Sequence, residues 1–305
     1  MIDKEMISYN SSNDEVDLLE IVNTLFDHKK LIILSFIFFG IISVFYALSI
    51  PNQYKASTTL AVADSSSNGI SSNIGQLGGI ASLAGVNISG GQSTGEDKIA
   101  QEIMQSWSFI AKFVDDNNIA PDLIAAKDWN KSTNKLIYEN GIYDFKSNEW
   151  LIKQPSSWEI YQAFIGMLSF SQDSKTGLVY VSIEYFSPNI AKQWLDLYVD
   201  SINAHMQKRK LTQVLRNIEF LNDEIAKTSI SEMREVFYSI IEEQTKEKML
   251  AAASPEYAFI YVNPSMVPEE KSQPRRSIIC IFITLFGTFL TIVMILLRRY
   301  GFKQS

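Results

Sequence analysis

Residues 31–50 read LIILSFIFFGIISVFYALSI, an apolar stretch without a single Asp, Glu, Lys, Arg or His. Residues 277–297 read SIICIFITLFGTFLTIVMILL and have the same character. At about 1.5 Å of rise per residue, a helix of either length crosses a hydrocarbon core of roughly 30 Å. The pair predicts two transmembrane helices, with residues 51–276 forming one large domain between them.

The domain between the two stretches is acidic. It holds 21 Lys and Arg against 27 Asp and Glu, a net charge of −6. No basic block dominates it, which argues against nucleic acid as a partner. The one cysteine, Cys280, lies inside the second apolar stretch, so no disulfide can form within the chain.

The orientation follows from the length of the domain, because positive residues flank both sides of the two stretches almost equally. Long loops cross a bilayer largely regardless of charge. We therefore predict that residues 1–30 and 298–305 are cytoplasmic and that residues 51–276 face the periplasm. The first stretch is expected to be an uncleaved anchor, because 30 residues precede it and no small-residue cleavage site follows it.

The first part of the chain shows helix, strand and loop signals in turn. Ser12 to Glu15 resembles a capping box that starts an amphipathic helix, and residues 54–63 are typical of a strand. Residues 65–95 are rich in Gly and Ser but interspersed with aliphatic side chains. They are interpreted as a mobile loop or as a segment that orders only against a neighbour.

The next part is predicted from periodicity and turn residues. We expect one helix over 96–118 with Ile99, Ile103, Trp107, Ile110 and Val114 on one face. Residues 121–155 are predicted to be irregular, with short helices at most. A helix begins after Ser156 or Ser157, and a β-hairpin over 168–186 turns at residues 173–175.

A long helix is predicted from residue 189 to residue 227, with Asn189 as its cap. It contains no Gly or Pro, and one heptad position holds Ile190, Leu197, Ala204, Leu211, Ile218 and Ile225, joined by Val214 and Leu221. A hairpin tip or kink is expected at 228–232, where Ser229 and Glu232 fit a second capping box. A second helix over 232–253 and a returning strand over 256–262 follow.

The segment 264–276 is predicted to be an extended connector to the second apolar stretch, because Pro264, Pro268 and Pro274 restrict its backbone. Within the two spans, small residues form stripes that permit close helix packing. We single out Gly40, Ser43 and Ala47 in the first span and Gly287 and Thr291 in the second. Each stripe can face the other span or another membrane protein.

No pattern in the sequence indicates catalysis. His28 and His205 are the two histidines and neither has a second ligand nearby, so no metal site is predicted. No nucleophile elbow, Walker sequence or kinase signature is present, and no cofactor is expected. The five Trp could stack on sugars, although core or interface packing is the commoner use.

The ends of the chain resemble the Wzz-type chain-length determinants, a polysaccharide co-polymerase family. The resemblance rests on DEVDLLE at 14–20, on Leu25 and KLI at 30–32, on PNQYKA at 51–56, and on the proline-containing stretch 264–274. It implies an α+β periplasmic domain anchored by two transmembrane helices. The α/β base (51–188 and 255–263) would lie near the membrane, and a long helical hairpin (189–253) would protrude from it.

The same resemblance implies a function. It implies a non-enzymatic, ring-forming homo-oligomer in the bacterial inner membrane, acting with the O-antigen polymerase on the nascent polysaccharide of lipopolysaccharide. The alternative is the membrane and periplasmic adaptor of a capsule or exopolysaccharide exporter that works with a separate cytoplasmic kinase. Related autokinases carry a cytoplasmic ATPase domain after the second span. Only residues 298–305 follow it here, so we expect no such activity in this chain.

Overall fold

The computed structural model describes residues 26–63 and 96–301. The amphipathic helix expected after Ser12, the Gly/Ser-rich stretch 65–95 and the last four residues lie outside this range. The chain divides into two units, residues 1–51 with 273–305 and residues 52–272.

Groups of helices and groups of strands follow one another along the described part of the chain. In chain order they are α1 (Lys29–Ser49), β1 (Tyr54–Val62), α2 (Glu96–Gln105), α3 (Trp107–Asp116), α4 (Ala120–Ala125), β2 (Ala126–Asn130), β3 (Lys135–Tyr138), β4 (Tyr143–Asp144), β5 (Glu149–Trp150), α5 (Ser157–Met167), β6 (Leu168–Gln172), β7 (Val179–Tyr185), α6 (Pro188–Lys227), α7 (Ser231–Ala253), β8 (Phe259–Asn263) and α8 (Arg276–Gly301).

The first unit contains α1 and α8, which pack against each other. Both helices are long and apolar enough to cross a membrane. Their bounds differ from the predicted spans by one to four residues, because the helices continue into Lys29 and into Arg298–Gly301. The two predicted spans are therefore helices, as the apolar stretches required.

The second unit is built on an antiparallel four-stranded sheet in the order β6-β7-β1-β8. The register pairs Ala56 with Ile183 and Leu60 with Val179, so the apolar positions of adjacent strands share one face. The predicted alternation of β7 is confirmed, because Val179, Val181, Ile183 and Tyr185 are all buried. The hairpin of β6 and β7 is confirmed as well.

Helices cover the apolar face of this sheet. The N-terminal half of α6 lies across β1 and β7 and buries Leu195, Tyr198, Val199 and Ile202 completely. Helix α5 packs on β6, β7 and α3. Of the two predicted caps, Ser156 is the one used, and it forms a capping box: Ser156 accepts a hydrogen bond from the Glu159 backbone and the Glu159 carboxylate accepts one from the Ser156 backbone.

Helix α6 leaves the core after its first five turns. Up to Met206 it is lined by buried residues, but beyond that only Val214 and Leu221 are buried. Its 40 residues span about 60 Å at ~1.5 Å per residue. The distal half packs against α7, which returns antiparallel to it. The predicted long helix and the second helix are both present.

Two predictions about the middle of the chain are wrong. The single helix expected over 96–118 is broken at Ser106, whose side chain caps α3 by accepting from the Phe109 backbone. Trp107 is exposed, whereas the predicted Ile110 and Val114 are fully buried and are joined in the core by Phe109 and Phe113. The region 121–155 is not irregular: it contains α4 and the hairpins β2–β3 and β4–β5.

Two predicted caps are also wrong. Asn189 does not cap α6, because the helix begins one residue earlier, with Pro188 in its first turn and Ser187 at the cap position. Proline suits this position because a first-turn backbone N–H has no helical partner to lose. Ser229 does not cap α7 either, since Ile230 occupies the cap position and makes no side-chain cap bond.

Candidate functional site

Small residues line the contact between α1 and α8. Ser43 and Ala47 are buried there, and the Ser43 hydroxyl lies 3.4 Å from the Thr284 hydroxyl. A Cβ atom added to Gly287 would lie 2.3 Å from Cγ of Phe39, so only glycine fits against this ring. A Cβ atom on Gly40 would lie 4.0 Å from the Thr284 hydroxyl.

The predicted span-packing residues therefore lie largely on one interface. Gly40, Ser43, Ala47 and Gly287 are at or beside the α1–α8 contact, while the Thr291 hydroxyl donates to the Gly287 carbonyl within its own helix at 3.0 Å. Such close approach of backbones is how transmembrane helices gain packing energy without a hydrophobic driving force.

Polar and apolar contacts fasten α7 to α6. Lys210 Nζ lies 3.3 Å from a Glu247 oxygen, and the Asn217 amide donates to the Gln244 side chain at 3.1 Å. Val214, between these contacts, is 1% exposed, and Leu221, one turn beyond Asn217, is 9% exposed. The other predicted packing residues of this seam, Leu211, Ile218 and Ile225, are half-buried. The first three residues of the predicted heptad position do not contribute to this seam. Ile190 and Leu197 pack against the core of the domain, and Ala204 is exposed.

The outer surface of the helical hairpin carries exposed apolar side chains. Phe220 is 63% exposed on α6, and Tyr238 is 59% exposed on α7. Exposed residues of the same kind on the hairpin and its tip are Leu215, Ile230, Met233, Val236, Ile240, Met249 and Leu250. Single exposed apolar residues are ordinary, but this density on a two-helix projection is typical of an interaction surface.

Two polar side chains of α6 join the hairpin to the sheet. Asn203 is 2% exposed; its amide nitrogen donates to the Phe259 carbonyl at 2.9 Å. Its oxygen accepts from the backbone N–H groups of Ala258 and Phe259 at 2.9 and 2.8 Å. One turn later, Gln207 donates to the carbonyls of Ala251 and Ser254 at 2.9 and 3.0 Å. The end of α7 and the start of β8 are thereby fixed to α6.

The connector after β8 is also attached to this unit. The Ser265 hydroxyl donates to Asp196 on α6, and the Ser272 backbone N–H donates to the Gln53 carbonyl at 2.8 Å. Of the predicted connector prolines, Pro264 is exposed, Pro268 is half-buried and Pro274 is buried. The hydrogen bonds of its serines, which the sequence analysis missed, hold residues 265–272 in place.

Ionisable groups show no catalytic arrangement in the described part of the chain. No cluster of three or more His, Cys, Asp or Glu side chains is found there that could hold a metal ion. Burial raises the pKa of Asp122, which accepts a hydrogen bond from the Tyr138 hydroxyl at 2.9 Å. The pKa of His205 is lowered by partial burial and by the nearby cations Arg209, Lys112 and Lys208.

A shallow groove lies on the uncovered face of the sheet. Its volume is about 330 Å³, and hydroxyl-bearing side chains of three strands line much of it. Ser57 pairs with Ser182, and Ser182 pairs with Ser169, so these small residues form a row across the sheet. The groove follows from the small volume of this row beside larger neighbours such as Tyr180.

Comparisons with known proteins give one family and two solved structures. A search of curated proteins found no match. A full-length bacterial polysaccharide co-polymerase is similar at 14% identity and a TM-score of 0.38, covering 93% of this chain and 99% of the other. A fragment of WzzB, the polysaccharide co-polymerase of Salmonella Typhimurium, is similar at 10% identity and a TM-score of 0.31, covering 73% and 100%.

Both TM-scores are below 0.5, too low for either likeness to establish the arrangement of this chain. The sequence match is more direct: residues 14–117 match the family described as Wzz, chain length determinant protein. This range includes the acidic opening at 14–20 and the PNQYKA stretch at 51–56, so the resemblance read from the sequence is confirmed. Over residues 14–117 the chain is similar to the Wzz-type chain length determinants.

Proposed function

We propose that the protein is a non-enzymatic regulator of polysaccharide chain length, acting on the O-antigen of lipopolysaccharide with the O-antigen polymerase. The family match over residues 14–117 carries this proposal. Two helices that can cross a membrane and a helical hairpin with exposed apolar residues support it. The protein acts as an inner-membrane scaffold that assembles into a ring of identical copies.

The mechanism requires contact rather than chemistry. A chain whose exposed hairpin residues pack against other copies presents one repeated surface to the polymerase and to the growing polysaccharide. The length of the polymer is then set by how long the polymerase and the scaffold remain engaged. The described residues offer packing surfaces and hydrogen-bonded joints for this role.

Deletion of the gene and analysis of the lipopolysaccharide on a gel test the proposal. We expect the modal band distribution to be lost and to return on complementation with the wild-type chain. Complementation with Leu221→Asp, which places a charge in the α6–α7 seam, is expected to fail, whereas the exposed neighbouring change Asn222→Asp is expected to succeed. Immunoblotting checks that both variants accumulate.

An unchanged band distribution after deletion would contradict the proposal. If the capsule or exopolysaccharide changed while the lipopolysaccharide did not, the export-adaptor function would replace it. Orientation is tested with Ser174→Cys in a Cys280→Ser background, since Ser174 is exposed in the turn between β6 and β7. We expect a membrane-impermeant maleimide to label this site once the outer membrane is permeabilised; protection of the site would place the domain in the cytoplasm.

A further inference from the structure

The side of α6 that faces away from α7 is basic over about three turns. Lys210, Val214 and Asn217 define the inward side by their contacts or burial. At about 100° per residue, the opposite side carries the exposed residues of what we call the basic edge: His205, Lys208, Arg209 and Arg216. Towards the hairpin tip the sign changes, since Glu219 and Asp223 follow.

The cations of the basic edge are available for binding. In the described part of the chain, Lys208, Arg209 and Arg216 make no ion pair, whereas the inward-facing Lys210 pairs with Glu247. Lys112 of α3 also lies near His205, but it is paired with Asp116 at 2.9 Å, so the unpaired positive charge of this edge is confined to α6. The basic edge therefore carries a local positive charge on a domain whose net charge is −6, and it can attract an acidic surface.

The corresponding side of α7 is acidic and partly apolar. Phe237, Ile241 and Gln244 face α6 and are half-buried. Opposite them lie the exposed residues of the acidic edge, Glu235, Tyr238 and Glu242. Glu242 holds Lys246 at 2.7 Å within the same helix, but both side chains are more than 60% exposed. A surface pair of this kind is weak and leaves the carboxylate open to a second partner.

The antiparallel pairing of the two helices places the two edges at matching heights. Asn217 contacts Gln244 and Lys210 contacts Glu247, which places Arg216 level with residues 241–245 of α7 and so within about three residues of Glu242 along the hairpin, or ~4.5 Å. By the same pairing, Phe220 is level with the region of Tyr238. Each helix thus presents a charged side chain and an exposed aromatic ring four residues apart, with the ring nearer the tip of the hairpin in both.

We propose that the hairpin docks edge to edge on a second copy of the chain. Arg216 and Phe220 of one copy contact Glu242 and Tyr238 of the next. The proposal rests on the self-assembly included in the proposed function and assigns its contact surface and register. Copies related by rotation about an axis parallel to the hairpin keep the same height, which the two matched pairs require.

Charge complementarity selects a second copy as the occupant. The two edges differ from each other, so the contact is heterologous and leaves an unused edge on each end until a ring closes. Sliding the neighbouring copy towards the tip would bring Glu242 against Glu219 and Asp223. Like charges disfavour that register, so the change of sign along α6 fixes the axial position.

Charge reversal in the full chain, reconstituted in nanodiscs, tests the docking surface. We expect Arg216→Glu and Glu242→Arg each to raise the concentration of half-dissociation about tenfold. The double variant restores the pair and is expected to return to within about twofold of the wild type. The matched controls Lys131→Glu and Glu149→Arg change exposed charges on the small hairpins and are expected to leave assembly unchanged.

Cross-linking gives a second readout that does not depend on charge. In a Cys280→Ser background, Phe220→Cys with Tyr238→Cys is expected to give oxidised oligomers, while Asn222→Cys with Tyr238→Cys, on another side of α6, is not. If the wild type assembles but these cross-links fail, or if the double reversal does not recover assembly, the docking surface is wrong and the proposed function stands. A wild-type chain that remains monomeric in nanodiscs overturns the self-assembly on which both depend.

Discussion

Replacing Asn203 by Ala removes the joint between α6 and β8. The side chain makes three hydrogen bonds of 2.8–2.9 Å to the backbone of Ala258 and Phe259, and Phe259 is fully buried. At about 1 kcal/mol net for each bond, the loss is about 3 kcal/mol. Alanine recovers roughly 0.5 kcal/mol through its helix propensity, while the backbone groups left without partners add to the cost.

The effect is measured on the full chain in detergent by urea unfolding. Fluorescence of Trp194, which is buried beside Tyr185, reports the core around α6. Hydrogen exchange gives a local readout, and we expect the amides of Ala258 and Phe259 to exchange faster in the variant. Asn222→Ala is the matched control, because Asn222 is exposed on the same helix and should change stability by less than about 0.5 kcal/mol.

A loss below about 1 kcal/mol for Asn203→Ala, with unchanged exchange at both amides, would refute the reasoning. It would mean that the pairing of β8 with β1 suffices to hold the strand. That pairing is limited, since β8 lies at the edge of the sheet and its register with β1 shifts between Thr59 and Leu60. The strand β8 is therefore held in position by two sets of contacts, its pairing with β1 and the hydrogen bonds of Asn203.

Three further predictions concern other parts of the chain. Gly287→Ala should weaken cross-linking between cysteines placed in α1 and α8, because its Cβ meets the Phe39 ring, and adding Phe39→Ala should restore it. Ser156→Ala should lower stability to urea by about 1 kcal/mol through loss of the α5 cap, with Ser157→Ala as the control. Asp122→Asn should stabilise the protein at neutral pH, because burial raises the pKa of Asp122 and its ionisation therefore costs folding free energy. The gain in stability should shrink as the pH falls through the raised pKa and vanish below about pH 3.9. Urea unfolding of both proteins at several pH values measures it.

Strong periodic signals predicted the elements that they covered. The alternation at 179–185, the apolar spans and the long interval without Gly or Pro after Pro188 correspond to β7, α1, α8 and α6. In each case one physical requirement, burial on one face or transfer into lipid, dominates the local sequence. These elements decide the fold class, so the mixed helix and sheet architecture with two candidate spans could be predicted.

Short elements were missed because their signals are local. The hairpins β2–β3 and β4–β5 have strands of two to five residues, and their turns depend on Asn134 and Asn148 in the left-handed conformation. Asn140 and Gly141, the clearest turn signal in this region, lie between β3 and β4 and so outside both hairpin turns. The break at Ser106 was missed for a similar reason, since a serine inside an apolar period caps a new helix only when tertiary packing favours the break.

The polar residues that join α6 to α7 and β8 could not be predicted from the sequence, for a different reason. Asn203 and Gln207 are ordinary polar residues on a helix, and nothing local indicates that one of them is buried and bonded to a strand 55 residues away. Their role depends on where α7 returns to the core, which is a property of the completed fold. Sequence patterns report which face of an element is buried, but a buried polar side chain is explained only by its partner.

The position of these joints explains how one helix can serve both the core and the projecting hairpin. Between Asp196 and Gln207, α6 binds the connector through Ser265, the strand β8 through Asn203 and the end of α7 through Gln207. All three returning segments are therefore attached to the same three turns of a helix that contains no Gly or internal Pro. Because α6 is continuous beyond that point, the height of Arg216 and Phe220 relative to the sheet is the same in every copy. A scaffold that assembles through its hairpin edges needs that constancy, since a hinge within α6 would let each copy present its edges at a different height and the matched pairs would be lost.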